Sequence, residues 1–269
     1  AYLRTRGHRG KTLSTYPYQV GYFIRWLGAQ DGDNLKVGMI EANKFMIHLA
    51  QRGLSNSGMA SYLDALRAFY DFLVVTGRAE KNPFREIPRP KRMRREVRFL
   101  TKREVRRLLA TAKRIFDLRR YLAIRLLYVT GMRVGELAEL RWGDIDITRK
   151  RALVRGKTGE RYVLLDDITV GLLLKLRKEA RFSEKTARVF GVRPQTIREW
   201  VRRAGEEAGL GRITPHMLRH SFGTHLIQAG VHERVVQALL GHESIQSTMV
   251  YTHVRDEDLR EAHKKLFLP

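Results

Sequence analysis

Met59, Leu63, Leu66, Tyr70 and Leu73 recur at steps of three and four, the spacing of one buried helix face, with Ser55 or Ser57 placed to cap it. Val20, Phe23, Ile24 and Leu27 predict an earlier helix; Pro17 near its beginning predicts a late start or a kink. A further helix is predicted from about Met39 to Gln51, so residues 1–81 read as a helical unit. Residues 82–98 interrupt the pattern: Pro83, Pro88 and Pro90 exclude regular helix from the first half, and seven of the 17 residues are Arg or Lys. Such a stretch reads as an extended, cationic linker. A second unit opens at Thr101, which forms a capping box with Glu104. Helices are predicted to about Thr130, where Gly131 ends the periodicity. Ile145–Ile147, Ala152–Arg155 and Tyr162–Leu165 read as short strands, with Gly156-Lys157-Thr158-Gly159 as the hairpin turn between the last two. Helices resume after Asp167 and continue to Leu266. The predicted fold is mostly α with a small antiparallel β-sheet.

Charge changes the picture. The chain of 269 residues is 43% hydrophobic, enough for two cores, yet carries a net charge of +24 from 52 basic and 28 acidic side chains. That excess repels itself unless a polyanion is present, so nucleic acid is the first expected partner and an anionic membrane surface the second. No run approaches the roughly 18 apolar residues of a spanning helix, no signal-like segment opens the chain, and there is no cysteine for a disulfide or thiolate site. A cytoplasmic location is expected. Basic residues outnumber acidic ones by 13 to 7 over residues 1–90, by 5 to 1 over 91–98 and by 34 to 20 over 99–269. Two basic lobes on a basic strap can close around a duplex and gain affinity by releasing counterions; Lys91, Arg92, Arg94 and Arg95 of the strap are the expected DNA contacts.

Toward the carboxyl end, Thr214 is placed as an N-cap and Pro215 as a first helical residue, which puts His216 and Arg219 on one helix face. A helix amino end favours phosphate, although the same pattern also fits an ordinary surface helix. Arg133 stands three residues before Glu136: either a surface ion pair or a guanidinium fork held by an acid and aimed at phosphate. Lys157 at a hairpin tip is either solvated or able to reach into a groove. Gly156-Lys157-Thr158 is not a nucleotide loop, because Arg151 occupies the position of the required first glycine. Tyr251, nine residues after His242, needs neighbours to become a nucleophile, since a phenol titrates near pH 10. Thr186–Val192 with Ile197 and Trp200 matches helix-turn-helix offsets and forms a competing motif. Asp144 with Asp146, and Asp166 with Asp167, have no histidine at ligand spacing, so no metal site is predicted. His8, His48, His225, His232 and His263 read as structural or solvated.

Together these pieces resemble the tyrosine recombinase (phage integrase) family, and within it the Xer-type resolvases. The segments that carry the likeness are HMLRHSFGTHLIQAG, VVQALLGHESIQSTMVYTHV, TGMRVGELAELRWGDID, VRGKTGERYVLL and the linker NPFREIPRPKR. The resemblance implies a helical core-binding domain (residues 1–81), a linker (82–98) and an α+β catalytic domain of the DNA breaking-rejoining type (99–269). It implies that Arg133 and Arg219 clamp the phosphate, Glu136 orients Arg133, Lys157 acts as general acid, His216 and His242 complete the pocket, and Tyr251 attacks. Duplex DNA is the implied substrate, no cofactor is needed, and the implied working unit is a homotetramer on paired sites, with or without a second recombinase subunit or accessory protein. Arg255 to Phe267 reads as a short helix that, in this family, often docks on a neighbouring protomer. A type IB topoisomerase, a non-catalytic helix-turn-helix regulator and a nucleoid-type packing protein are the rival readings.

Overall fold

The computed structural model describes residues 12–28, 37–91, 98–156, 159–179, 184–241 and 256–267. Its contacts divide the chain into two compact units, residues 1–95 and 96–269.

The first unit contains α1 (Thr12–Gly28), α2 (Met39–Gln51) and α3 (Asn56–Val75). The α3 start falls where the sequence places it: the Ser55 hydroxyl accepts from the Gly58 N–H at 3.2 Å. Phe23, Phe45, Leu63, Leu66, Tyr70 and Leu73 form the core, with Phe23 edge-on to Phe45 at 4.8 Å between centroids. Helix α1 neither starts after Pro17 nor stops at it; Pro17 lies inside. The helix forgoes one hydrogen bond there, while Phe23 and Leu27 anchor it to the core and Gln19 Nε2 donates to Ser61 Oγ at 2.9 Å.

Residues 82–91 of the predicted linker are not helical, but they turn rather than run extended, with Arg85 N–H donating to the Asn82 carbonyl at 3.3 Å, and they pack on this unit. Phe84 and Ile87 are buried in the same core. Arg67 Nε donates to the Phe84 carbonyl at 3.0 Å, and Arg67 Nη2 to the Arg85 and Ile87 carbonyls at 3.2 and 2.6 Å. Prolines and arginines hid the two apolar residues that serve as pegs.

The second unit begins with α4 (Lys102–Ile115), capped by the expected box: Glu104 N–H donates to Thr101 Oγ1 at 3.2 Å and Thr101 N–H to Glu104 Oε2 at 2.8 Å. Helix α5 (Leu118–Thr130) is buried on all sides from Leu122 onward. Its single buried cation, Arg125, pairs with Asp166 and donates from Nε to Thr169 Oγ1 at 3.1 Å. After α6 (Val134–Glu139) come β1 (Ile145–Asp146), β2 (Arg151–Gly156) and β3 (Gly159–Leu164), an antiparallel sheet in the order β1-β2-β3 with Gly156 opposite Gly159. Then follow α7 (Asp167–Glu179), α8 (Pro194–Glu207), α9 (Pro215–Gln228), α10 (Glu233–Leu240) and α11 (Asp256–Lys264).

The helix-turn-helix reading fails on backbone grounds. Residues 184–192 are not helical. They pair with residues 140–143: Val189 N–H donates to the Leu140 carbonyl at 2.8 Å, Trp142 N–H to Ala187 at 3.1 Å, and Arg188 bridges Arg141. That pairing consumes the groups a first helix would need.

Helix α11 and the short 3-10 turn after it pack on the second unit, with Ala262 of the helix and Leu266 of the turn in the core. Buried His263 donates from Nε2 to the Val129 carbonyl at 2.7 Å, and buried His225 bonds the Tyr128 hydroxyl through Nδ1 at 3.0 Å. Burial holds both imidazoles below their ordinary value of 6.5, against the opposing pull of Asp166 on His263. Their stability contribution is complete above pH 6.5 and is lost as pH falls, because the unfolded chain takes the protons first. We expect the thermal midpoint to drop as pH falls from 7 toward about 5, and His263→Gln to flatten part of that slope; identical slopes in the two proteins would refute the assignment.

Candidate active site

Three backbone features create the site. Helix α5 ends at Gly131 in the left-handed region (φ 60°), and a Cβ there would lie 2.6 Å from the Phe222 ring. The resulting close approach of α5 to α9 brings Arg133, at the N-cap of α6, near Arg219 on α9. Helix α9 starts as its sequence predicts, with Met217 N–H donating to Thr214 Oγ1 at 3.3 Å and Pro215 in the first turn. Helix α10 ends at Gly241, also left-handed (φ 64°), and its last carbonyls turn toward both arginines.

Arg219 is 5% exposed. Its Nη1 donates to the Gly131 carbonyl at 2.6 Å and its Nη2 to the Leu240 carbonyl at 2.7 Å. Burial, then the charges of Arg133 and Arg161, bring its pKa down to about 10, with Glu136 opposing. It stays cationic at neutral pH, and the carbonyls stand in for water. His216, one turn earlier on α9, is exposed and lines the same cleft as Arg219, with His220, Gly223, Thr224 and Leu240.

Glu136 is the hub. Its carboxylate accepts from the Arg133 N–H at 2.7 Å, from Arg133 Nη1 at 2.8 Å, and from Arg161 Nη1 and Nη2 at 2.9 Å each. Burial alone would raise its pKa; the Arg161 fork and the Arg133 backbone and side chain outweigh burial and hold it at about 2. Arg133 is half-exposed, with Nη2 lying 3.5 Å from the Gly241 carbonyl. Three guanidinium groups around one carboxylate leave an excess of two positive charges, the electrostatics of an anion site.

The structure therefore brings Arg133, Glu136, Arg219 and His216 of the sequence-predicted set into one region. Lys157, His242 and Tyr251 lie outside the described residues, as do Arg92, Arg94 and Arg95 of the strap. Lys91 is exposed, and its carbonyl accepts from Asn56 Nδ2 at 2.8 Å within the first unit. Among the described residues, no group of three or more His, Cys, Asp or Glu side chains could hold a metal ion, and no helix is long and apolar enough to cross a membrane.

Sequence reasoning missed Arg161. The legible signal was alternation along β3: Arg161 shares a face with Val163, whose side chain is buried, so an arginine occupies an inward position. Gly156 was also read only as a turn residue. A Cβ there would meet Glu136 Oε1 at 2.8 Å, so the strand passes directly over the carboxylate.

Residues 98–258 match the profile of the phage integrase family, and residues 1–77 that of the phage integrase N-terminal SAM-like domain. Tyrosine recombinase XerC of Pediococcus pentosaceus is 34% identical over 282 residues, which cover 97% of this chain and 93% of that protein. Tyrosine recombinase XerA of Thermococcus kodakarensis is 34% identical over 273 residues, 98% of this chain and 92% of the relative. In fold, the chain is similar to XerH site-specific recombinase bound to palindromic difH substrate, with a TM-score of 0.73 and 24% identity, covering 93% of this chain and 78% of that one.

Proposed function

We infer the reaction from one premise: the chain belongs to the phage integrase family and is a site-specific tyrosine recombinase of Xer type, a DNA strand transferase. The observation that carries the residue assignments is the convergence of Arg133 and Arg219 on the carboxyl end of α10, immediately before His242.

In this reading a scissile phosphate of duplex DNA sits against Arg133 and Arg219. The phenolic oxygen of Tyr251 forms a bond to phosphorus, and the bond from phosphorus to the 5′-oxygen breaks. Negative charge gathers on the equatorial oxygens in the transition state, where preorganised guanidinium groups act without reorganisation. His216 takes the phenolic proton, His242 completes the pocket, and Lys157 protonates the departing 5′-oxygen. The product is a 3′-phosphotyrosyl enzyme and a free 5′-hydroxyl. A second 5′-hydroxyl reverses the chemistry with a new partner strand. One ester replaces another of similar energy, so neither ATP nor a metal ion is required. The basic strap, Lys91 to Arg95, follows the DNA backbone, and the tetramer on paired sites is the working unit, acting in the cytoplasm on resident DNA.

The test is a nicked suicide substrate, from which the short 5′-hydroxyl fragment escapes after cleavage. Wild-type protein should accumulate a detergent-resistant DNA adduct, and a plasmid with paired sites should recombine. Topoisomer relaxation without exchange of flanking DNA would favour type IB topoisomerase chemistry instead.

A further inference from the structure

We propose that Arg161 is a positioning residue for the phosphate clamp, its forked guanidinium holding the Glu136 carboxylate in the one orientation that sets Arg133. This rests on Arg133 being a phosphate ligand, as inferred above.

Three observations carry it. First, Arg161 is mostly buried, with 15% of its side chain exposed, and both terminal nitrogens are spent on Glu136, one on each carboxylate oxygen. It acts through that carboxylate rather than on the substrate. Second, each oxygen of Glu136 that Arg161 holds also serves Arg133: Oε1 takes its Nη1 and Oε2 its backbone N–H. A carboxylate seen by Arg133 only could rotate about its last torsion; a second, planar fork removes that freedom. Third, the neighbouring backbone is shaped to this pair. Gly156 passes over Glu136 with no room for a Cβ, and a Cβ on Gly241 would lie 2.6 Å from Arg161 Cδ and 2.9 Å from its Nε. Two glycines from separate elements are thus packed against one ion pair, and the second precedes His242 in sequence. Arg161 ties the lysine-bearing hairpin, the first arginine and the end of α10 to one point.

Single-turnover cleavage of the nicked substrate by Arg161→Gln, Arg161→Lys, Glu136→Gln, the Arg161→Gln/Glu136→Gln double variant and Arg133→Ala tests this, alongside gel-shift binding to one site and thermal melting. Arg161→Gln should cleave about 100-fold more slowly, the scale of a small misplacement of a reacting group, with single-site affinity within about threefold of wild type. Arg161→Lys keeps the charge but cannot fork, so it should stay at least about tenfold slow. In the Glu136→Gln background, Arg161→Gln should cost less than about threefold more, because the two act as one unit. Full multiplication of the two single losses would overturn the proposal, as would wild-type cleavage by Arg161→Lys. If Arg161→Gln does not fold at the assay temperature, Arg161→Lys decides: slow cleavage with wild-type melting supports the inference. Loss of cleavage in Arg133→Ala together with normal cleavage in Arg161→Gln overturns this inference alone; normal cleavage in Arg133→Ala overturns the phosphate assignment beneath it.

Discussion

Tyr251→Phe should bind a single DNA site as wild type does and yet form no covalent adduct on the nicked substrate, a loss of at least roughly 10⁴-fold in cleavage rate. The argument is one of atoms. Removing the phenolic oxygen removes the only atom that becomes bonded to phosphorus, while the ring and the cationic surface that binds backbone remain. A histidine or lysine in the pocket cannot substitute productively, because a phosphoramidate would not hand the strand back to a 5′-hydroxyl at matched energy. Proteolysis of the wild-type adduct should leave the oligonucleotide on the peptide spanning residue 251. An adduct of normal yield in Tyr251→Phe, or one mapped to a different residue, would remove the nucleophile assignment and with it the proposed mechanism.

What could be seen in the sequence was what depends on neighbours a few residues away. Thr101 with Glu104, Ser55 ahead of α3, and Thr214-Pro215 at the start of α9 are local capping signals, and each marks the helix start it predicts. The first two strands could be placed within one residue and the third within three for the same reason. The Arg133–Glu136 pair was visible because it spans a single helical turn. Arg161 was not, because it reaches Glu136 across 25 residues of chain; strand alternation sets it apart from the exposed Arg155 on the adjacent strand but does not name its partner. The same blindness bears on two weaker readings. Residues 186–192 carry helix-turn-helix spacing, but their backbone is claimed by residues 140–143, far away in sequence. Pro17 allowed a late start or a kink, and the late start fails because tertiary packing of Phe23 and Leu27 carries the helix across it. Phe84 and Ile87 went unread as core residues because prolines and arginines surround them. Tertiary burial overrode local propensity in each case.

Arg219→Met should damage stability and chemistry at once, and by different routes. Methionine keeps an apolar stem of comparable length, so the packing against Leu240 and the α5 end is largely preserved. What disappears is the donor pair. The Gly131 and Leu240 carbonyls would lose their donor from Arg219 in a buried setting, a cost of about 2–4 kcal/mol. Two terms partly oppose each other: Arg133 and Arg161 lose a repulsive neighbour, and Glu136 loses an attractive one. The net expectation is a thermal midpoint lowered by several degrees in a protein that still folds. Cleavage should fall by about 10²–10³-fold, the usual cost of deleting one preorganised donor to a charged transition state. Arg219→Lys discriminates the two routes. Its ammonium restores positive charge but cannot span two carbonyls and face a phosphate together, so melting should recover more than cleavage does. Equal recovery of both would mean that the guanidinium serves the fold alone, and that the phosphate is held by other groups.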